Sequence, residues 1–287
     1  MNKYVIITPA RDEEEHIEKT IQSVVAQTLR PVQWIIVNDG SRDRTGAIID
    51  SYAARYEWIT AHHRPNRGFR EAGGGVMDTF HDGYKLIKVP HWDFIVKLDA
   101  DLIFEVDYFK RCFAEFEKDP HLGVGGGGIY HESDGQLKLE GSPKFHVRGA
   151  TKIYRRECWE GIGGLQRVAG WDTIDEVKAN MLGWTTRTFF DLKVSHQRYT
   201  GSADGVWKDC VKNGRANYIT GYHPLFMLAK CARRIGTKPY VKAAVGLWWG
   251  YMSSYWKRTP RVQDHSLIKY TRDQQLRRLL LQESIWK

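Results

Sequence analysis

Two carboxylates stand two residues apart at the end of an apolar run, where Phe94-Ile95-Val96-Lys97-Leu98 leads into Asp99-Ala100-Asp101. Hard divalent cations such as Mn²⁺ or Mg²⁺ take oxygen ligands and accept phosphate oxygens and water as the rest of their shell. The pair suits an ion that neutralises a diphosphate; the plainer alternative is a loop with two solvated acids. If the strand continued through both acids, alternation would turn them to one face. A second cluster, Thr8-Pro9-Ala10-Arg11-Asp12-Glu13-Glu14, follows the apolar run that starts at Tyr4. Pro9 is expected to end that strand. The acids after it can bind a base or ribose, or simply favour a helix N-terminus. The third cluster is Val37-Asn38-Asp39-Gly40-Ser41-Arg42-Asp43-Arg44-Thr45. There Asp39 can accept a base N–H, Gly40 permits a tight turn, and Asp43 can cap the next helix.

Such clusters need a scaffold that delivers them to one place. Tyr4–Thr8, Gln33–Val37 and Phe94–Leu98 are short apolar runs suited to buried strands. Between them, residues 14–27 carry Ile17, Ile21, Val24 and Val25 at helical spacing, and Thr45–Tyr56 carries Ile48, Ile49 and Tyr52. Strand alternating with helix implies a parallel sheet, whose ligands bind beyond the carboxyl ends of its strands. All three polar clusters fall at such ends. Farther on, the glycine-rich Gly123–Gly128 and the irregular stretch 130–148 are expected to form edge strands and a loop. Residues 172–182 are expected to be helical, and Gly183-Trp184 leads to a last strand before His196.

Together these segments resemble glycosyltransferase family 2, over roughly residues 3–215. The first strand of that family ends in a Pro-x-x-Asn-Glu-type sequence, here Pro9-Ala10-Arg11-Asp12-Glu13. The second ends in Val-x-Asp-Gly-Ser-x-Asp-x-Thr, here Val37 to Thr45, and the Asp-x-Asp pair follows at Asp99 and Asp101. The resemblance implies an α/β chain of GT-A fold, with a mostly parallel Rossmann-like sheet flanked by helices. It also implies an inverting, metal-dependent transfer of a sugar from a nucleotide-sugar donor to an acceptor hydroxyl. Pro9, Ala10, Arg11, Glu13 and Asp39 would hold base and ribose. Gly68 and Arg70 match a loop near the nucleotide, Asp99 and Ala100 would lie by the ribose, and Asp101 would ligate Mn²⁺ or Mg²⁺. His196 matches a histidine near the metal or diphosphate, and Arg198 can pair a phosphate bidentately. The general base of the family lies about a dozen residues before a Gly-aromatic pair. Counting back from Gly183-Trp184 gives Asp172, with Asp175 as the alternative. Gly149-Ala150 and Gly163-Gly164 match the acceptor-side segment. The sequence departs from the family at Arg11 (usually Tyr), Asp12 (usually Asn) and Trp171 (usually Glu). Asp39 suits uracil or thymine, so a UDP-sugar is favoured.

The net charge of +9 is uneven. Residues 215–287 hold 14 Lys and Arg against 3 Asp and Glu, whereas residues 1–214 hold 29 against 31. This argues against a nucleic-acid-binding face spread over the first part and for a separate basic module at the C-terminus. We divide the chain into residues 1–215 and a helical extension, 216–287. In the extension, Leu225–Leu228, Val245, Leu247, Trp248, Trp249, Tyr251, Tyr255 and Trp256 stand among lysines and arginines. Such a mixture suits an anionic membrane surface, and with it a carbohydrate or lipid-linked acceptor in polysaccharide or glycolipid assembly. The same aromatics also suit packing on the catalytic domain or on a second copy in a homo-oligomer. No apolar stretch is long enough to span a bilayer, and Tyr4–Ile7 is too short for a secretion signal. With four scattered cysteines lacking any CxxC spacing, the expectation is reduced thiols in a cytoplasmic protein that docks peripherally on the inner membrane face. The readings from other classes are a nucleotide-sugar-binding module without turnover and a basic nucleic-acid-binding protein.

Overall fold

The computed structural model describes residues 2–68, 74–133, 136–140, 145–198, 205–236 and 240–286. Among them, nine strands form one sheet. The first half alternates strand and helix: β1 (Tyr4–Ala10), α1 (Ile17–Val25), β2 (Gln33–Asn38), α2 (Thr45–Ala53), β3 (Ile59–His63), α3 (Gly74–Tyr84), β4 (Phe94–Leu98). Then follow β5 (Leu102–Phe104), α4 (Tyr108–Lys118), β6 (Leu122–Ser133), β7 (Gln136–Leu139), β8 (Thr151–Arg155), α5 (Arg156–Ile162), α6 (Trp171–Met181) and β9 (Thr185–His196). The chain ends in four helices, α7 (Val206–Ile219), α8 (Pro224–Ile235), α9 (Val241–Trp256) and α10 (His265–Leu279).

Strands β3, β2, β1 and β4 lie side by side and parallel. The sheet continues through β8, β6, β9 and β5, with β7 a hairpin partner of β6. Strands β1, β2 and β4 are buried on both faces, which is why each reads as an unbroken apolar run rather than an alternation. Tyr4, Ile6, Trp34, Ile36, Phe94 and Val96 pack under α1, α2 and α4 on one face. Val5, Ile7, Ile35, Val37 and Ile95 pack under α3, α5 and α6 on the other.

Three local expectations are corrected. Pro9 does not end β1, which runs on to Ala10. Beyond Ile7 the strand pairs with β2 but no longer with β4, and a missing N–H is tolerated on such an edge. Gly123–Gly128 is not an edge: it lies in β6, between β8 and β9. The glycines there make room for bulk supplied by neighbours. A Cβ at Gly125 would come within 2.6 Å of the Phe189 ring, and one at Gly127 within 2.4 Å of the Leu192 carbonyl. Nor does β4 continue through the acid pair: it stops at Leu98, and a turn carries Asp99–Asp101 before β5 begins.

Helices α7–α9 pack on each other, and α6 closes onto them. Ile174 and Val177 of α6 share a buried cluster with Tyr218, Tyr222, Leu247 and Tyr251. Position 215, at the edge of the expected extension, lies inside α7. Backbones of α7 and α9 touch at glycines: a Cβ on Gly214 or Gly250 would lie 2.0 Å from a carbonyl of the opposite helix. The four cysteines are buried and free.

Candidate active site

The carboxyl ends of β1, β2 and β4 converge, as a parallel sheet requires. The loops after β1 and β2 are tied to each other by reciprocal backbone bonds. The amides of Asp12, Glu13 and Glu14 donate to Ser41 Oγ, Thr45 Oγ1 and Asp43 Oδ2. In return, the amides of Arg42 and Arg44 donate to Asp12 Oδ1 and Glu14 Oε2. Asp43 also accepts from the Thr45 amide at the start of α2. Asp12 has φ of 54°, a left-handed conformation that Asn and Asp tolerate better than other side chains. The substitution of Asp for Asn at this position therefore keeps the turn. Gly40 also has positive φ, and a Cβ there would collide with the Asn66 backbone at 2.4 Å.

Asp39 is buried and already gripped by cations. Arg64 Nη1 donates to its Oδ1 at 2.7 Å and Arg67 Nη2 to its Oδ2 at 2.6 Å. Arg11 Nη1 donates to the Asp39 carbonyl, and Arg11 Nη2 to Asn66 Oδ1. Gly68 lies in the same loop with positive φ, its amide donating to Asn66 Oδ1. Arg70 lies outside the described residues.

Asp101 meets His196 and Arg198 because β5 pairs antiparallel with β9, setting Leu102 opposite His196. Asp101 Oδ2 lies 3.2 Å from His196 Nε2 and 2.7 Å from Arg198 Nε. Arg198 Nη2 also holds Glu13, so one guanidinium bridges the ends of β1 and β4. The other imidazole nitrogen of His196 faces Glu140, 3.2 Å away, and Glu140 pairs with Arg148 at 2.6 Å. Burial opposes the imidazolium, but hydrogen bonds and charges from Asp101 and Glu140 outweigh it and raise His196 to about 9. Burial likewise pushes Glu13 up to about 7, against the pull of Arg198. Burial also opposes ionisation of Asp101, yet His196 and Arg198 bring it below the usual carboxylate range.

Asp101 Oδ1 and Glu13 Oε2 are buried without a hydrogen-bond partner among the described residues. The unmatched anionic oxygens of Asp101 and Glu13 are oxygen donors that fit a divalent cation, and His196 joins such a set only by giving up the proton it shares with Asp101. No group of three His, Cys, Asp or Glu among the described residues is arranged to hold a metal by itself. A metal at Asp101 would therefore need phosphate and water for most of its shell.

The segment Gly149-Ala150 adjoins the acid pair at the start of β8. The Asp99 amide donates to the Ala150 carbonyl at 2.8 Å, and Lys97 Nζ donates to both the Asp99 carboxylate and the Gly149 carbonyl. Gly149 in turn abuts α6: a Cβ on it would lie 3.2 Å from the Asp172 Cβ and 3.1 Å from the Trp171 ring. Ala100 is buried, its carbonyl accepting from Thr20 Oγ1. Asp172 is half-buried in the first turn of α6. Asp175, one turn on, is enclosed. Its oxygens accept from Lys152 Nζ at 2.8 and 3.0 Å, from the Tyr154 hydroxyl and from the Glu176 amide. Gly163 and Gly164, both with positive φ, end α5 away from these acids, Gly164 against the Trp159 ring.

Residues 5–165 match the family model described as Glycosyl transferase family 2. The chain belongs to glycosyltransferase family 2. It is 33% identical over 128 residues to the uncharacterized glycosyltransferase EpsJ of Bacillus subtilis, a match covering 45% of this chain and 34% of EpsJ. It is 32% identical over 113 residues to the poly-beta-1,6-N-acetyl-D-glucosamine synthase of Staphylococcus aureus, covering 39% of this chain and 25% of that protein. These matches span about a third or less of the relatives' length. Among solved structures, the mannosyltransferase PcManGT from Pyrobaculum calidifontis in complex with GDP-Man and Mn²⁺ has a TM-score of 0.57 at 14% identity. The likeness covers 98% of this chain and 76% of that one. S. aureus TarS 1-349 in complex with UDP-GlcNAc has a TM-score of 0.54 at 16% identity, covering 92% and 75%. The fold is GT-A.

Within this glycosyltransferase, several residues at the site carry no signal that pattern alone assigns. Arg64, Arg67 and Glu140 lie in irregular segments, and their partners are remote in sequence. Lys97 and Lys152 did carry one: each is a lysine inside an apolar strand, and a buried ammonium must be paired. They are register partners across β4 and β8, so their side chains emerge on the same side of the sheet. Lys97 is answered by Asp99, and Lys152 by Asp175 and Glu176. The Trp171 ring lies 5.3 Å from one ammonium and 5.6 Å from the other, a cation–π position for both. Thus the Trp at the usual Glu position of the family packs against two cations.

Replacing Lys152 by Met is expected to lower the unfolding free energy by about 3–5 kcal/mol, because two buried carboxylates lose their counter-charge. The deficit has a defined pH dependence. Burial raises Asp175 to about 6, so the native state holds its proton more tightly than the unfolded chain above the ordinary carboxylate range. The stability from that proton falls as pH rises towards 6. Without Lys152, whose charge lowers it, the Asp175 carboxyl keeps its proton to still higher pH, so urea melts should show a larger deficit at pH 8 than at pH 5.

Proposed function

We propose that this glycosyltransferase is a metal-dependent, inverting enzyme that moves a sugar from a UDP-sugar to an acceptor hydroxyl in polysaccharide or glycolipid assembly. The observation that carries it is the convergence of Glu13, Asp99, Asp101, His196 and Arg198 at the ends of β1, β4 and β9, with Asp172 across Gly149. TarS and PcManGT, solved in complex with UDP-GlcNAc and with GDP-Man and Mn²⁺ respectively, support a nucleotide-sugar donor.

Asp101 and His196 would hold a divalent metal, with Asp99 beside them; when bound it neutralises charge on the diphosphate. Pro9, Ala10, Arg11, Glu13, Asp39, Gly68 and Ala100 line the base and ribose side. Arg198 supplies positive charge to the diphosphate. Asp172 takes the proton of the acceptor hydroxyl, whose oxygen attacks the anomeric carbon from the face opposite the nucleotide. The bond from that carbon to the diphosphate oxygen breaks as the new one forms, so configuration inverts. Asp172 is preferred to Asp175 because an enclosed carboxylate with its oxygens engaged cannot reach an acceptor.

Calorimetric titration with UDP, GDP and dTDP, each with and without Mn²⁺, tests the donor site. The expected result is Mn²⁺-dependent binding of UDP, at least about tenfold tighter than GDP. Binding with no turnover of any UDP-sugar would assign a non-catalytic binding module. No nucleotide binding by folded protein would overturn the proposal.

A further inference from the structure

The C-terminal helices carry an apolar face that nothing among the described residues covers. On α8, Leu225, Leu228, Ala232 and Ile235 recur every three or four residues and are exposed. On α9 the exposed stripe is Val241, Val245, Trp249 and Trp256. Trp249 and Trp256 are 51% and 68% exposed, their rings edge to face with centroids 5.8 Å apart. This is no loosely held end. The opposite face of α9, with Ala244, Leu247, Gly250 and Tyr251, is buried against α7 in backbone contact. A rigid helix that turns two tryptophans to water presents a contact surface.

Charge identifies the occupant. From Tyr222 to Gln263 the sequence has eight Lys and Arg and no Asp or Glu. Arg233, Lys242, Lys257 and Arg258 are exposed beside the stripes. A second copy meeting this face symmetrically would set cations against cations. An anionic lipid leaflet complements it: indoles suit the headgroup boundary, and lysines and arginines suit its negative potential. No helix among the described residues is long and apolar enough to cross a membrane, so the contact lies in the interface plane.

We propose that the α8–α9 face docks on the surface of an anionic lipid bilayer. α6 shares a buried cluster with the same bundle, to which Ile174 and Val177 belong together with Leu247 and Tyr251. Docking therefore couples the lipid surface to the helical bundle whose buried cluster also holds the helix of Asp172. That last consequence rests on Asp172 as the base; the docking itself does not.

The test is flotation of the full chain with phosphatidylcholine vesicles, pure or mixed with phosphatidylglycerol, together with tryptophan fluorescence. Binding should require the anionic lipid, shift the emission to the blue and weaken with salt. Trp249→Ser combined with Trp256→Ser should weaken it at least about tenfold with nucleotide binding unchanged. Lys257→Glu with Arg258→Glu should weaken it by about fivefold or more for each charge reversed. Equal partition onto neutral vesicles, or none onto anionic ones, overturns the proposal. Self-association abolished by the tryptophan pair, without vesicle binding, would also overturn it and assign the face to a second copy. Loss of vesicle binding with intact turnover, or the reverse, separates this failure from failure of the transferase mechanism.

Discussion

Asp172→Asn is expected to lower kcat by about 10²–10⁴-fold while leaving UDP affinity within about twofold of the parent. The amide is isosteric, and the contact holding this part of α6, from Lys152 Nζ to the Asp172 carbonyl, is made by backbone and survives the change. What is lost is the capacity to take a proton from the acceptor. The expected signature is a fall in kcat without a rise in the donor KM, measured by nucleotide release at saturating donor and acceptor. Asp175→Asn is the control. It removes a charge from Lys152 and an acceptor from Tyr154, so its effect belongs in the melting curve. If folded Asp175→Asn protein were inactive and Asp172→Asn active, the assignment of the base would be reversed. The same pair of variants separates a transferase from a binding module, because only a transferase has turnover to lose.

Legibility in the sequence followed locality. Strands β1, β2 and β4 and their polar ends were readable because a strand buried on both faces is a continuous apolar run, and the sharp change to Asp, Asn, Gly and Ser marks its end. β6 was misplaced for a related reason. Gly125 and Gly127 remove the hydrophobic signal from a central strand, and the volume they leave is filled by Phe189 and by the backbone of β9. The approach of His196 and Arg198 to Asp101 depends on a pairing between β5 and β9 some ninety residues apart, which no periodicity encodes. It was legible only through the family pattern. The hold of Arg64 and Arg67 on Asp39 was legible in neither way, since both arginines stand in a loop whose path is set by tertiary contacts. On the proposed base-binding role of Asp39, its carboxylate would be held by two guanidinium groups before a nucleotide arrives, with only its remaining lone pairs available to an N–H donor.

Asp101→Asn is the most severe change expected, at about 10³-fold or more in kcat/KM, because it removes one negative charge from the point where Glu13, His196 and Arg198 meet. Two roles are combined in that carboxylate. Its Oδ2 organises Arg198 and His196, and its buried Oδ1 has no hydrogen-bond partner among the described residues. If Asp101 served only to organise its neighbours, the variant would weaken UDP binding equally with and without Mn²⁺. If the unpartnered oxygen is a metal ligand, metal-free affinity should change little, and the gain in affinity on adding Mn²⁺ should disappear. Titrating UDP into parent and variant with and without Mn²⁺ therefore closes a thermodynamic cycle whose coupling term isolates the metal. A coupling of zero in the parent would remove the metal from the mechanism. Arg198, which already spans Glu13 and Asp101, would then be left as the principal positive charge facing the diphosphate.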